Sequence, residues 1–167
     1  WKLAEIYSPN NSLYATRREW RALDLVAPNY MKANNYGPSE LRYPLWVVPE
    51  KALTIDDIWK IKADYYEGTP YDLTKGAAAG PWGDPLRYAN SSKTEKTAAW
   101  ERSINMHRTC YLHIGQTKAW LPDPIKGVSW YGYGAPDTTY LTPLWPAMTK
   151  LPDFYTIGSR YEGFRRD

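Results

Sequence analysis

An arginine in an otherwise apolar row is the first candidate for chemistry in this sequence. The even positions between 103 and 116 are mostly apolar: Ile104, Met106, Arg108, Cys110, Leu112 and Ile114. This alternation predicts a long strand with one apolar face. A guanidinium on such a face must be paired or hydrogen-bonded, because an isolated buried charge is costly. Arg108 is therefore either half of a structural ion pair or an active-site arginine that holds a carboxylate or a catalytic group. The spacing of these residues does not decide between the structural ion pair and the active-site arginine.

Cysteine and histidine chemistry is less well supported. Cys110 is the only cysteine, so an intrachain disulfide is impossible, and a cysteine-based metal site is not expected. Its position in the apolar row predicts a small buried hydrophobe rather than a nucleophile. His107 and His113 share a strand face, but roughly 20 Å of strand separates them, too far for one metal ion. We therefore predict no metal site.

A loop that is dense in turn-forming and polar residues spans positions 65–76. Its candidate substrate-binding or supporting residues are Glu67, Gly68, Thr69 and Asp72. One interpretation is a substrate-facing loop that Glu67 and Asp72 support. The other is a helix end followed by a turn, in which Asp72 bonds its own backbone.

Two helices are predicted before this loop. In the segment 17–27, Trp20, Leu23 and Val26 recur at helical spacing, with Pro28 as a stop. We expect an ordered loop over 28–49, with a short strand at 45–48. The second helix begins after Thr54, a good N-cap, with Asp56 and Asp57 in its first turn, and ends near Gly68 and Pro70.

Strands dominate the second half of the chain. Besides the strand over 103–116, we predict strands over 127–133 and 139–144. Helices followed by antiparallel strands indicate an α+β fold.

Composition excludes some classes of partner. The net charge of +3 is spread along the chain without a basic stripe, so a nucleic-acid partner is not expected. No apolar run is long enough to span a bilayer. The 15 Tyr and 9 Trp against 2 Phe suit clefts and interfaces as well as cores.

Three long blocks carry a family resemblance. Residues 65–87, YYEGTPYDLTKGAAAGPWGDPLR, closely resemble a signature of the dipeptidase family that includes secernins and bacterial dipeptidases. Tyr65 and Trp82 stand where that family commonly has His and Phe. Residues 102–145 resemble the family's closing segment, with Lys118 in place of a more usual Arg, and residues 17–29 are also similar to it.

The resemblance implies a fold and a chemistry. The family is similar to the N-terminal-nucleophile hydrolases, which form a four-layer αββα sandwich and need no cofactor for this reaction. Its members hydrolyse dipeptides with an N-terminal cysteine, whose α-amino group helps as the base. Residue 1 here is Trp, so the resemblance implies that residues 1–167 are the C-terminal portion of one such domain, inactive alone. The nucleophile would belong to an upstream segment or to a partner chain cut from the same precursor.

The resemblance also bears on the site. Arg108 matches the Arg of the family's Arg-Thr pair, which implies that it orients the nucleophile or the substrate carbonyl. Alternatives from other classes are an aromatic-rich binding module and a degenerate scaffold homologue; self-association into a homo-oligomer stays open. Glycosylation triplets at Asn10 and Asn90 favour a secreted or lysosome-like compartment over a cytoplasmic one.

Overall fold

The computed structural model describes residues 13–76, 79, 83, 85 and 102–155. Asn10 and Asn90, the two candidate glycosylation positions, lie outside these residues. The described helices are α1 (Leu13–Val26), α2 (Pro28–Ala33), α3 (Ile55–Lys62) and α4 (Asp123–Lys126). The described strands are β1 (Tyr111–Thr117), β2 (Gly127–Tyr133) and β3 (Thr142–Leu144), and short 3-10 helices occupy Pro136–Thr138 and Asp153–Tyr155.

The first predicted helix exists, but Pro28 does not stop helical structure. Helix α1 ends at Val26, Ala27 leaves helical geometry with φ −144° and ψ 56°, and Pro28 opens α2. Proline suits the first helical position because its φ is already helical and its missing N–H has no partner there. The prediction of a loop from residue 28 is therefore wrong for residues 28–33.

The strand predicted at 45–48 is absent. Leu45, Trp46 and Val48 are 74%, 71% and 71% exposed, and they pair with no strand in the described structure. Pro44 and Pro49 flank the segment, and proline cannot donate to a sheet ladder.

Helix α3 begins as predicted and ends early. Thr54 caps it in a reciprocal capping box with Asp57. The helix ends at Lys62, before the predicted end at Gly68 and Pro70. It could not have reached Gly68 in any case, because Tyr66 adopts a left-handed backbone with φ 66° that a helix cannot accommodate.

The long strand predicted over 103–116 is wrong in its first half. Residues 102–110 form an irregular segment with a turn, in which the Thr109 N–H donates to the Met106 carbonyl at 2.9 Å. The Asn105 N–H donates to the Asp64 carbonyl, at 3.1 Å, rather than to a neighbouring strand. Only from Tyr111 does the chain pair with β2, and from there the predicted alternation holds, with Leu112 and Ile114 buried.

The sheet is antiparallel, in the order β1-β2-β3. Strand β2 has the predicted bounds, whereas β3 is confined to Thr142–Leu144. Helices combined with a small antiparallel sheet confirm the α+β class. No helix among the described residues is long and apolar enough to cross a membrane.

The main apolar cluster lies beside the loop that follows α3. It consists of Trp20, Met31, Tyr65, Tyr66 and Leu73. Three of its five members belong to the loop itself, so the packing of α1 and α2 directly fixes the loop's position.

Candidate functional site

Tyr66 is the structural centre of the candidate loop. It is fully buried, and its positive φ is rare for a bulky residue, so its surroundings must hold it there. Its N–H donates to Asp64 Oδ1 at 2.8 Å, and its carbonyl accepts from the N–H and hydroxyl of Thr69 at 3.1 and 2.7 Å. Its own hydroxyl donates to the Arg102 carbonyl at 2.9 Å. Thr69 thus stabilises the unusual backbone directly.

A buried ion pair anchors the loop to α1. Arg21 donates from Nε to both oxygens of Asp64 at 3.0 Å and from Nη2 to Oδ2 at 2.8 Å. Arg21 Nη2 also donates to the Glu67 carbonyl at 2.8 Å. The two side chains are only 10% and 7% exposed, so the pair is protected from solvent screening.

The two carboxylates of the predicted site bind the backbone of their own loop. Glu67 Oε2 accepts from the Tyr65 N–H at 2.7 Å. Asp72 accepts from the N–H and hydroxyl of Thr74 and from the N–H of Gly68. Gly68 has φ 76°, a conformation that glycine adopts without strain. In this geometry both acids shape the loop, as the turn interpretation of Asp72 expected.

Acid should weaken this loop through Asp72. Burial by itself raises the pKa of Asp72, but hydrogen bonds from Thr74 and Gly68, together with Lys75, outweigh it and lower the pKa to about 2. The ordinary value is 3.8, so the stabilisation by Asp72 is complete above about pH 4 and is lost as the pH falls through 2.

Replacing Asp72 with asparagine should therefore remove part of the acid sensitivity. We expect Asp72→Asn to lower the free energy of unfolding by about 1–2 kcal/mol at pH 7 and by much less at pH 2. Urea unfolding of the full-length protein at both pH values measures this. Asp123→Asn is the control, because the Asp123 side chain is 89% exposed. An equal loss at both pH values would contradict the role of the Asp72 charge.

Arg108 and Cys110 are both exposed, which corrects their predicted placement on a buried strand face. The reason is that residues 102–110 never join the sheet, so the even positions before Leu112 acquire no common face. In the part of the chain that the structure describes, Arg108 forms no ion pair.

His107 is half-buried and His113 is exposed. The described ranges contain no group of three acidic, histidine or cysteine residues that could hold a metal ion.

Several buried polar side chains beside the loop were not predicted. Arg17 and Arg21 lie on the inner face of α1, where Arg17 stacks on the Tyr71 ring with Cζ 3.8 Å from the ring centre. The available signal was the position of Arg17, three residues before Trp20 and four before Arg21, which places it on the same side of the helix as each of them. Asn105 is 1% exposed, and both of its side-chain amide atoms are without a partner among the described residues.

The loop and the segment 102–110 form one assembly. The bonds from Asn105 to Asp64 and from Tyr66 to Arg102 join them, and the Tyr65 hydroxyl donates to Asp137 Oδ2 at 2.8 Å beyond β2. An open cleft of about 450 Å³ borders the loop at Glu67. The described residues thus hold the loop and the segment 102–110 together and leave Arg108 exposed.

The described part of the chain is thus an α+β structure that contains one tightly hydrogen-bonded loop. A family model described as Peptidase family C69 matches residues 1–164, and the chain belongs to that family. This confirms the resemblance to the secernin and bacterial dipeptidase family.

Curated relatives bear related names. A "Dipeptidase" of Bifidobacterium longum is 25% identical over 153 residues, which are 89% of this chain and 26% of that protein. "Probable dipeptidase B" of Lactococcus lactis is 24% identical over 148 residues, 89% of this chain and 27% of that protein. "Dipeptidase A" of Lactobacillus helveticus is 27% identical with the same coverage. The chain thus spans about a quarter of the length of these relatives.

Proposed function

We propose that this chain is the C-terminal portion of a cysteine dipeptidase and that the nucleophile is a cysteine outside these 167 residues. The family match over residues 1–164 is the observation that carries this proposal. The names of the relatives support dipeptides as the substrate class. In this proposal the chain completes a four-layer αββα sandwich together with a nucleophile-bearing segment of the same precursor. No cofactor takes part.

The reaction that we propose is nucleophilic catalysis at the peptide carbonyl. An N-terminal cysteine thiolate attacks the carbonyl carbon, and the α-amino group accepts the thiol proton and passes it to the departing amine. Water then hydrolyses the thioester. Charge develops on the carbonyl oxygen in both steps, so a nearby positive group that is already in position lowers both barriers.

Arg108 is the proposed source of that positive charge or of the contact that orients the nucleophile. Its exposure in this chain leaves the guanidinium accessible to groups outside these residues. The loop that carries Glu67, Gly68, Thr69 and Asp72 would support the site. The hydrogen bond from Asn105 to Asp64 favours this arrangement, because it links the segment of Arg108 to that loop.

We also propose that the protein resides in a secreted or lysosome-like compartment. The triplets at Asn10 and Asn90 favour a secreted or lysosome-like setting, where glycosidase treatment of the natural protein would lower its mass.

Cys110 offers a direct test of where the nucleophilic thiol lies. It is exposed and free, so alkylating agents should reach it. We expect the full-length protein to hydrolyse dipeptides and to be inactivated by iodoacetamide. The variant Cys110→Ser should keep its kcat/KM within about twofold, and iodoacetamide should still inactivate it, because the catalytic thiol is elsewhere. Loss of hydrolysis in Cys110→Ser would contradict the proposal, and so would a full-length protein that hydrolyses no dipeptide.

A further inference from the structure

Arg18 and Arg102 are half-buried arginines that lie near each other, and the described residues satisfy them less fully than they satisfy Arg17 and Arg21. The Nε atoms of Arg18 and Arg102 are buried without a hydrogen-bond partner in the described part of the chain. By contrast, Arg21 is fully engaged by Asp64, and Arg17 stacks on Tyr71 and donates to the Pro38 carbonyl. Missing hydrogen-bond partners are therefore specific to Arg18 and Arg102 and are not shared by the other arginines of α1.

The two arginines are brought together from distant parts of the sequence. Arg102 Cζ lies 5.6 Å from the centre of the Tyr14 ring, and Tyr14 precedes Arg18 by one helical turn on the same face of α1. The Tyr66 hydroxyl donates to the Arg102 carbonyl, which fixes the backbone of Arg102 against the loop. The backbones of both arginines are thus fixed, that of Arg18 by α1 and that of Arg102 by the bond from Tyr66.

Electrostatics also disfavours this pair in the absence of an anion. Burial lowers the pKa of Arg18, and the nearby charge of Arg102 lowers it further, with Tyr66 and Tyr14 acting in the opposite direction. Both arginines are half-buried, so water screens the two like charges only in part, and a bound counter-charge would stabilise the pair. No carboxylate among the described residues forms an ion pair with either arginine.

We propose that Arg18 and Arg102 form a subsite for the C-terminal carboxylate of the dipeptide substrate, an inference that rests on the proposed function. A guanidinium fits the planar carboxylate group with two parallel hydrogen bonds. Every dipeptide carries this carboxylate one residue beyond the bond to be cut, and a longer peptide has an amide there instead. A pair of arginines that binds this carboxylate would therefore select for dipeptides.

Substrates with and without that charge provide the test in the full-length protein. The probes are the dipeptide that the wild type hydrolyses best and the same dipeptide with a C-terminal carboxamide. We expect the wild type to favour the free acid strongly. Arg18→Gln and Arg102→Gln should each lower kcat/KM for the acid by roughly 30-fold or more, mainly through KM, and change that for the amide little. Arg42→Gln, at an exposed position, is the matched control and should keep the wild-type preference.

Two outcomes would overturn the assignment to substrate. In the first outcome, Arg18→Gln and Arg102→Gln lower kcat/KM equally for the acid and the amide. In the other, the preference for the acid is unchanged while the urea midpoint of Arg102→Gln falls, which would show that the carboxylate comes from the polypeptide itself.

Binding without turnover separates this inference from the proposed function. Calorimetric titration with N-acetylglycine and with N-acetylglycinamide needs no hydrolysis. Binding of the acid alone, lost in Arg102→Gln, would support the subsite even if no dipeptide is cleaved. Failure of the wild type to distinguish the two compounds would overturn the subsite.

Discussion

Arg108→Ala in the full-length protein is expected to lower kcat for dipeptide hydrolysis by about 100-fold to 1000-fold. That is the usual effect of removing one group that stabilises developing charge at the carbonyl oxygen. The fold should survive, because Arg108 is exposed and makes no ion pair with any residue that the structure describes. Steady-state kinetics with one dipeptide, together with the urea midpoint, separate the two effects.

Two further variants make this prediction specific. Arg108→Lys keeps the charge but loses the planar donor pair, so we expect it to recover only part of the rate. Arg42→Ala removes another exposed arginine and should keep nearly the full rate. Full activity in Arg108→Ala would remove Arg108 from the mechanism, whatever the rest of the proposal.

Arg21→Met should produce the largest loss of stability, about 3–5 kcal/mol in the free energy of unfolding. Methionine keeps the apolar stem but leaves the Asp64 carboxylate buried without its ion-pair partner, and Asp64 also accepts from the Tyr66 N–H. The consequence should extend to the loop, because the left-handed Tyr66 depends on that bond. Urea unfolding of the full-length protein measures the loss.

An exposed ion pair provides the matched control. Lys60 and Asp56 are 2.5 Å apart on the surface of α3, with side chains 66% and 63% exposed. Lys60→Met should leave the unfolding midpoint almost unchanged, because water solvates the remaining charge. If Arg21→Met and Lys60→Met had the same unfolding midpoint, the Arg21–Asp64 pair would not be the anchor of the loop.

Local signals in the sequence predicted the parts of the fold that local chemistry decides. The Thr54 cap fixes the start of α3, and the alternation of Leu112 with Ile114 identifies the buried face of β1. Strand β2 has its predicted bounds because its side chains also follow a strand pattern. In each case a side chain and its near neighbours in sequence determine the outcome.

The errors share a cause in long-range contacts. The strand predicted over 103–116 begins only at Tyr111, because Asn105 hydrogen-bonds to Asp64, 41 residues away, instead of to a strand. Apolar periodicity cannot reveal such a bond. Pro28 is a different case, since a proline that ends one helix can equally begin the next.

The candidate site was predictable in part. Glu67, Gly68, Thr69 and Asp72 do lie together in one tightly bonded loop, but a pattern read only from apolar residues could not reveal the charged groups beneath it. Arg18, Arg21 and Arg102 emerged only from the structure, because their surroundings come from distant segments. An exposed row of tryptophans would favour the alternative of an aromatic-rich binding module. Trp46 and Trp120 are exposed, but they lie on two separate loops, and Trp20 is buried.

The central claim is that the catalytic nucleophile is a cysteine at a mature N-terminus outside these residues. Intact-mass and N-terminal analysis of the natively purified full-length gene product, under denaturing conditions, tests it most directly. We predict a polypeptide that begins with cysteine, either co-purifying with the 19.3 kDa chain or containing it. A folded product of 19.3 kDa alone, with no cysteine at any N-terminus, would contradict the account and favour a binding or scaffolding role.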